Sequence, residues 1–276
     1  MLRNKREKEV RKMPKFSVNQ DAVQRRVVDT GLIHDFDSPE ADAIIRLQTN
    51  IDFSNLETPV KCYAITSAQE AEGKTTMSCN LALLYAEKGL KVALLDLDLR
   101  QPAIHKLFHL ENKIGIVEYV KGEVDSLSDI AHTVKGVDVI TAGSHTPFPS
   151  KVLSSGRMKK LLQELKEEYD YVILDTPPIL VVSDAFMVGQ DVDGFLIVCS
   201  QHISRKKDVV AACNALAEKN IDIIGIAMSM VTTDEDNGKG GYGGYAYGNG
   251  YGYGYKHYSD YRAKREPKTD SEEEDF

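Results

Sequence analysis

Six short runs of apolar and β-branched residues alternate with longer segments of mixed polarity along the middle of the chain. A strand buried on both faces of a parallel sheet carries apolar residues at consecutive positions, so these runs predict strands. The predicted strands are 62–66, 92–96, 137–141, 171–175, 195–200 and 223–229.

The segments between these runs predict helices at 75–88, 155–168, 183–189 and 204–219, and a further helix begins after Ser38 and Pro39. Ala211, Ala215 and Leu216 share one face of the helix at 204–219. This alternation predicts an α/β fold with a doubly wound, mostly parallel sheet covered by helices on both faces. Such a sheet binds its ligands beyond the carboxyl ends of the strands.

The pattern is absent from both ends of the chain, which predicts three regions. Residues 1–36 form a polar, basic arm, and residues 37–231 form the folded domain. Residues 232–276 form a flexible Gly/Tyr-rich tail with an acidic end, in which glycine leaves the backbone loose and the aromatic rings accessible. Eight of the 13 tyrosines lie in this tail: Tyr242, Tyr245, Tyr247, Tyr251, Tyr253, Tyr255, Tyr258 and Tyr261.

Composition and charge narrow the class of protein. The 276 residues, 42% of them hydrophobic, can bury the core of one domain of about 200 residues. Of the net charge of −8, residues 1–15 carry +5 and residues 234–276 carry −4, which leaves −9 on residues 16–233. An acidic body argues against nucleic acid as a partner.

Targeting signals and cysteines point to the cytoplasm. The sequence has neither an apolar run of about 18 residues nor the apolar stretch of a signal peptide, so we expect the protein to be cytoplasmic. The four cysteines are widely spaced in apolar runs, which predicts buried thiols rather than a metal site or disulfides. They are Cys62, Cys79, Cys199 and Cys213.

The first predicted strand runs into the sequence SAQEAEGKTT, which leads into a helix. The backbone N–H groups of such a loop and the N-terminus of the helix carry a fixed partial positive charge that suits a phosphate group. Lys74 would reach the β- and γ-phosphates, and the hydroxyl of Thr75 would bind Mg²⁺. The predicted nucleotide-binding residues are Ala68, Gln69, Glu70, Ala71, Glu72, Gly73, Lys74, Thr75 and Thr76; Ala68 stands where the motif has its first glycine.

Two further strands end in carboxylates: Asp96 and Asp98 follow one strand, and Asp175 ends another. Burying carboxylates beside a phosphate loop is costly without a cation. We therefore expect the three acids to converge on one Mg²⁺, with Thr75, Asp98 and Asp175 as its ligands. The residues leave open which of Asp96 and Asp98 would instead accept a proton during the reaction.

The clustered tyrosines of the tail are the predicted phosphate acceptors of this site. A phenol has a pKa near ~10, so at neutral pH it attacks phosphorus well only if a carboxylate accepts its proton. Lys74, Mg²⁺ and the loop amides would supply most of the rate through positioning and charge neutralisation. The sequence therefore predicts a chain that carries both an ATP site and its own phosphate acceptors.

These motifs together resemble the bacterial tyrosine kinases of capsular and exopolysaccharide synthesis, which are P-loop NTPases. The resemblance spans about residues 38–261 and includes A-x-x-x-x-G-K-T-T, D-x-D-x-R, I-L-D-T-P-P, S-D-A and the terminal tyrosines. It implies an ATP- and Mg²⁺-dependent kinase that phosphorylates its own tail and regulates polysaccharide synthesis and export. The implied catalytic residues are Lys74, Asp96, Asp98 and Arg100, with Asp96 as the proton acceptor. Arg100 is expected either near the phosphates or the pair Asp96 and Asp98, or in a structural salt bridge.

The resemblance also implies partners. In the Firmicutes arrangement, to which this chain is similar, the cytoplasmic end of a membrane-spanning chain-length modulator activates the kinase, which places it at the inner face of the membrane. A cognate tyrosine phosphatase would reverse the reaction.

Two departures from the family pattern are present. Asp42, Ile45 and Gln48 occupy the positions of an E-x-x-R-x-x-R helix that builds a ring, so we expect self-association in a ring to be weak or absent. In the loop, Glu70 and Ala71 replace the usual Pro-Gly, and alanine is less favourable than glycine at a positive φ. Weaker nucleotide binding is therefore predicted.

Two other functions fit parts of the sequence. The MinD- and ParA-like ATPases share this core and use ATP as a switch without phosphorylating proteins, but they carry an extra lysine where this chain has Gln69. Alternatively, a weakened kinase would use its tail as a scaffold.

Overall fold

A computed structural model describes residues 32–33, 36, 38–55 and 57–231. The described residues form seven α-helices and a seven-stranded sheet. In chain order the elements are α1 (Pro39–Asp52), β1 (Cys62–Ser67), α2 (Lys74–Glu87), β2 (Val92–Asp96), α3 (Ile104–Leu107), α4 (Ile116–Lys121), β3 (Ala131–Val134), β4 (Val137–Ile140), α5 (Pro149–Leu153), α6 (Gly156–Glu168), β5 (Tyr171–Asp175), β6 (Gly194–Ser200), α7 (Lys206–Ala217) and β7 (Ile223–Ser229). Two 3₁₀ helices, Leu127–Asp129 and Asp184–Val188, lie between them.

The strands are ordered β3-β4-β2-β5-β1-β6-β7, and every neighbouring pair is parallel except β3 and β4. Because β2, β5 and β1 are adjacent and parallel, their carboxyl ends meet at one edge. Asp175 of β5 is in register with Asp96 of β2 on one side and with Ile65 of β1 on the other. The sheet order therefore brings together the strand-end acids that the sequence singled out.

Side chains alternate between two apolar layers, one on each face of the sheet. Along β1, Tyr63 and Ile65 pack into the layer that includes residues of α1, α2 and α3. Cys62 and Ala64 pack into the other layer, with residues of α4, α5, α6 and α7. The predicted doubly wound α/β fold, with helices on both faces, is confirmed.

The helix α1 is fixed to this domain by a partly buried polar cluster. The hydroxyls of Tyr85 and Tyr171 both donate to Oδ1 of Asp52 at 3.0 Å, and the two rings stack with their centroids 3.8 Å apart. Burial, and then Asp52, raise the pKa of Tyr171 to about 12. Gln48 is also buried; it donates to Oδ2 of Asp52 at 3.2 Å and accepts from Nζ of Lys88. Gln48, one of the three residues at the positions of the expected ring motif, is thus hydrogen-bonded within its own domain.

The six predicted strands agree with the observed ones to within one residue at each end. The hairpin partner β3 was not predicted, because its four residues are half-buried or exposed and show no apolar run. The tight turn between β3 and β4 places Lys135 and Gly136 at φ 52° and 79°. The segment predicted as a helix at 183–189 is a 3₁₀ helix, in which Phe186 N–H and Gly189 N–H bond to the carbonyls of Ser183 and Phe186.

Other expectations concern the thiols, the arm and membrane spans. Cys62, Cys79 and Cys199 are buried as predicted, whereas Cys213, on α7, is only half-buried. Two apolar residues of the predicted arm, Leu32 and Ile33, are buried, and Ile33 N–H donates to Oδ1 of Asn80 at 2.8 Å. None of the described helices has the length and apolar content needed to cross a bilayer.

Candidate active site

Residues 68–76 form a loop between β1 and α2 and the first turn of α2, as the sequence predicted. Gly73 is the N-cap of α2 with φ 90°, and among the described residues no side chain caps this helix. The N-terminal N–H groups of α2 therefore have no side-chain cap competing with an anion. Ala71 has φ 62°, so this position lies in the left-handed region, which glycine adopts more readily than alanine.

Lys74 lies at the centre of a polar cluster built by the loop and two strand ends. Its Nζ is 3.2 Å from Oδ2 of Asp98, 3.6 Å from Oδ2 of Asp175 and 3.2 Å from Oγ1 of Thr75. Burial alone would lower the pKa of Lys74, but the carboxylates of Asp175 and Asp98 outweigh it and raise the pKa. The ammonium group is thus held charged in a site that is mostly closed to solvent.

Asp175 is fully buried and accepts two hydroxyl hydrogen bonds. Thr75 Oγ1 donates to its Oδ2 at 2.7 Å, and Ser78 Oγ donates to its Oδ1 at 3.1 Å. Burial raises the pKa of Asp175, and this effect exceeds the opposing effects of Lys74 and Thr75. Ser78 was missed by sequence reasoning, although its position four residues after Lys74 on α2 places it on the same helix face.

Asp96 and Asp98 make different contacts in the structure. Asp98 contacts Lys74, and its Oδ1 accepts Gln101 N–H at 3.0 Å. Asp96 is fully buried, and its Oδ2 accepts the N–H groups of Ala103 and Ile104, both at 3.0 Å, at the start of α3. Its Oδ1 has no hydrogen-bond partner within the described part of the chain. Burial, and then Asp175, raise the pKa of Asp96 to about 7.

The expected convergence of three acids on one metal stays a prediction, although the acids lie at the same edge of the sheet. Within the described ranges, no group of three or more His, Cys, Asp or Glu side chains is arranged to hold a metal ion. The physical reason is that Lys74 Nζ bridges Asp98 and Asp175, while Asp96 is engaged with α3. The oxygens of Thr75 and Asp175 nevertheless form the pair that P-loop NTPases use for Mg²⁺, so the donor set fits a Mg²⁺–nucleotide complex.

Arg100 forms the structural salt bridge that was one of its two expected roles. Its Nε lies 2.5 Å from Oδ2 of Asp184, and its Nη2 lies 3.2 Å from Oδ1. Ser150 Oγ also donates to Asp184 at 2.6 Å. Burial would raise the pKa of Asp184, but the hydrogen bonds from Arg100 and Ser150 outweigh it and lower the pKa. A catalytic role for Arg100 stays a prediction.

The eight tail tyrosines lie outside the described residues, but the strand that precedes them contacts the loop. Ser229, the last residue of β7, donates its hydroxyl to the carbonyl of Glu72 at 2.6 Å. The described chain therefore ends beside the candidate nucleotide site.

Comparison with known proteins gives consistent matches. The ParA family, described as the NUBPL iron-transfer P-loop NTPase, matches residues 60–251. Tyrosine-protein kinase YwqD of Bacillus subtilis (strain 168) is 40% identical over 185 residues, which cover 66% of this chain and 78% of that protein. The kinase domain of Escherichia coli tyrosine kinase ETK has a TM-score of 0.66 at 34% identity and covers 77% of this chain and 80% of its own. The chimerical protein CapA2B2 has a TM-score of 0.68 at 27% identity, with coverages of 71% and 86%. The predicted P-loop fold is confirmed.

Proposed function

The chain belongs to the bacterial tyrosine kinases, protein-tyrosine kinases built on a ParA-type P-loop NTPase fold, and we propose that it transfers the γ-phosphate of ATP to the tyrosines at 242–261 of its own tail. The observation that carries this proposal is the grouping of Lys74, Thr75 and the strand-end aspartates at one edge of the sheet. The contact between Ser229 and the loop supports it, since the tail follows β7 directly.

In the proposed reaction, Lys74 and the uncapped N-terminus of α2 hold the phosphate oxygens. Mg²⁺, when bound by Thr75 and Asp175, neutralises the charge of the triphosphate. The phenol oxygen forms a bond to the γ-phosphorus, the bond from that phosphorus to the bridging oxygen of ADP breaks, and the phenolic proton passes to Asp96. Asp96 suits this role because its Oδ1 has no hydrogen bond within the described residues and its pKa of about 7 lies near neutrality.

We further propose that this kinase regulates capsular or exopolysaccharide synthesis and export. In this proposal a membrane-spanning chain-length modulator activates the kinase and holds it, as a cytoplasmic protein, at the inner face of the membrane. A cognate tyrosine phosphatase removes the phosphates. The support is the family resemblance, together with relatives such as the putative tyrosine-protein kinase in the cps region of Klebsiella pneumoniae.

Mass spectrometry of the tail tests the proposed transfer. The full chain is incubated with ATP, Mg²⁺ and the cytoplasmic fragment of its modulator, beside a Lys74→Met variant. We expect phosphate on several tyrosines between 242 and 261 in the wild type and none in the variant. Equal phosphate in both samples would reveal a contaminating kinase and contradict the proposal. Hydrolysis of ATP with an unmodified tail would instead indicate a ParA-like switch.

A further inference from the structure

Glu72 is a fully buried carboxylate inside the loop that receives the phosphates. Burying a charged group is costly unless hydrogen bonds satisfy it, and the charge of Glu72 has the same sign as that of a nucleotide. Its contribution to an anion-binding loop must therefore come from the groups to which it is hydrogen-bonded rather than from its charge.

Both carboxylate oxygens of Glu72 are engaged with protein groups. Oε2 accepts the N–H of Gln69 at 2.8 Å, which closes the loop on itself. Oε1 accepts the hydroxyl of Ser204, a residue in the turn between β6 and α7. The hydroxyl of Ser204 is itself fixed in position, because its Oγ also accepts the N–H of Ser200 at 2.6 Å.

The main chain of Glu72 is held by a different element. Its carbonyl accepts the hydroxyl of Ser229 at the end of β7, at 2.6 Å. The carbonyl of Ser229 accepts the N–H of Gln201 at 3.1 Å, so the end of β7 and the turn after β6 are joined to each other as well. The loop is thus fastened to two elements distant in sequence.

The local sequence does not favour the shape that these contacts hold. Ala71 and Gly73 flank Glu72, and both lie in the left-handed region, at φ 62° and 90°. Glycine adopts such angles readily, whereas alanine does not. With Ala71 in place of the usual glycine, more of the constraint on the loop must come from tertiary contacts.

We infer that Glu72 is a positioning residue that keeps the phosphate loop in its nucleotide-binding shape by bracing it against Ser204 and Ser229. This inference rests on the proposed nucleotide site and deepens it. Glu72 contacts no reacting atom in this arrangement; it acts through the loop amides that it holds in place. The brace also joins the loop to the strand from which the tail continues.

Two substitutions separate geometry from charge. Glu72→Ala removes both hydrogen bonds and leaves the N–H of Gln69 and the hydroxyl of Ser204 without their acceptors. Glu72→Gln removes the charge but keeps the shape: its carbonyl oxygen accepts from Gln69, and its amide donates to Oγ of Ser204. A third substitution, Ser204→Ala, removes the hydroxyl that donates to Oε1 of Glu72.

The experiment titrates the full-length variants with a fluorescent ADP analogue and Mg²⁺, and measures KM and kcat for ATP. We expect Glu72→Ala to raise the Kd and KM about tenfold while kcat changes less than about threefold. We expect Glu72→Gln to stay within about twofold of the wild type. Adding Ser204→Ala to Glu72→Ala should raise the Kd by less than about twofold more, because the two residues act through one contact.

Thermal unfolding of each variant checks that the fold is retained. Wild-type affinity in Glu72→Ala would overturn the inference, and so would equal losses in the Ala and Gln variants, which would assign the effect to charge. These outcomes compare variants with one another, whereas failure of the wild-type chain to bind nucleotide or modify its tail would contradict the proposed function itself.

Discussion

Thr75 donates its hydroxyl to Oδ2 of Asp175 across 2.7 Å, although 100 positions separate the two residues. The contact forms because Asp175 ends β5, the parallel neighbour of β1, and Thr75 lies in the first turn of α2, directly after the loop that follows β1. An oxygen pair of this kind at the mouth of a phosphate loop suits a magnesium ion.

This pair gives a prediction for Thr75. Thr75→Ala removes one of the two proposed Mg²⁺ ligands and should raise the Mg²⁺ concentration required for half-maximal ATP turnover at least about tenfold. Thr75→Ser keeps the hydroxyl and serves as the matched control, with turnover close to that of the wild type. A Mg²⁺ titration of ATP turnover measures both variants. Unchanged Mg²⁺ dependence in Thr75→Ala would show that Thr75 is not a ligand.

Asp96 should make stability depend on pH. Burial raises its folded-state pKa to about 7, above the unfolded value of about 4, so between these values the folded state binds a proton that the unfolded state lacks. The contribution of Asp96 to the free energy of unfolding is therefore highest below about pH 4 and is lost as pH rises through about 7.

The substitution Asp96→Asn tests the direction of this pH dependence. The amide oxygen still accepts from Ala103 and Ile104, but no charge is buried at high pH. We expect the melting temperature of the variant to exceed that of the wild type by at least roughly 2–4 °C at about pH 8, and the difference to shrink as pH falls below about 7 and to vanish only below about pH 4. Phosphate transfer should be lost at every pH. Differential scanning calorimetry across this range would contradict the interpretation if the variant were less stable throughout.

Ala71 is predicted to weaken the loop through its backbone. Ala71→Gly relieves the strain of φ 62° and should raise the free energy of unfolding by about 0.5–1 kcal/mol, after the entropy cost of glycine is included. Nucleotide affinity should also rise. Ala211→Gly, at an exposed position of α7, is the control and should lower stability by about 1 kcal/mol. Denaturant unfolding distinguishes the two; equal destabilisation would mean that Ala71 is unstrained.

The oligomeric state follows from the helix α1. The resemblance to the family predicts ring-forming arginines at the positions of Ile45 and Gln48, and Gln48 is buried against Asp52 and Lys88 rather than available to a neighbour. We therefore expect the unphosphorylated protein to consist mainly of small species in solution. Multi-angle light scattering measures this directly, and a stable octamer would refute the expectation.

Some features of the site could be predicted from local sequence, because they depend on residues only a few positions apart. Continuous apolar runs identified all the parallel strands, and the sequence GKTT after the first strand identified the phosphate loop. Asp96, Asp98 and Asp175 were recognisable because each lies at or just beyond the end of an apolar strand.

What local sequence could not determine are the partners of these residues, which depend on the strand order and on elements far apart in the chain. Lys74 bridges Asp98 and Asp175, a contact that the strand ends alone did not indicate. Arg100 pairs with Asp184, and Glu72 with Ser204, across 84 and 132 positions. The sequence alone identified the candidate residues of the loop and the strand ends, since type and spacing are local properties. Only the tertiary structure decided which charges meet, because burial and strand adjacency fix the distances between groups that the chain itself keeps far apart.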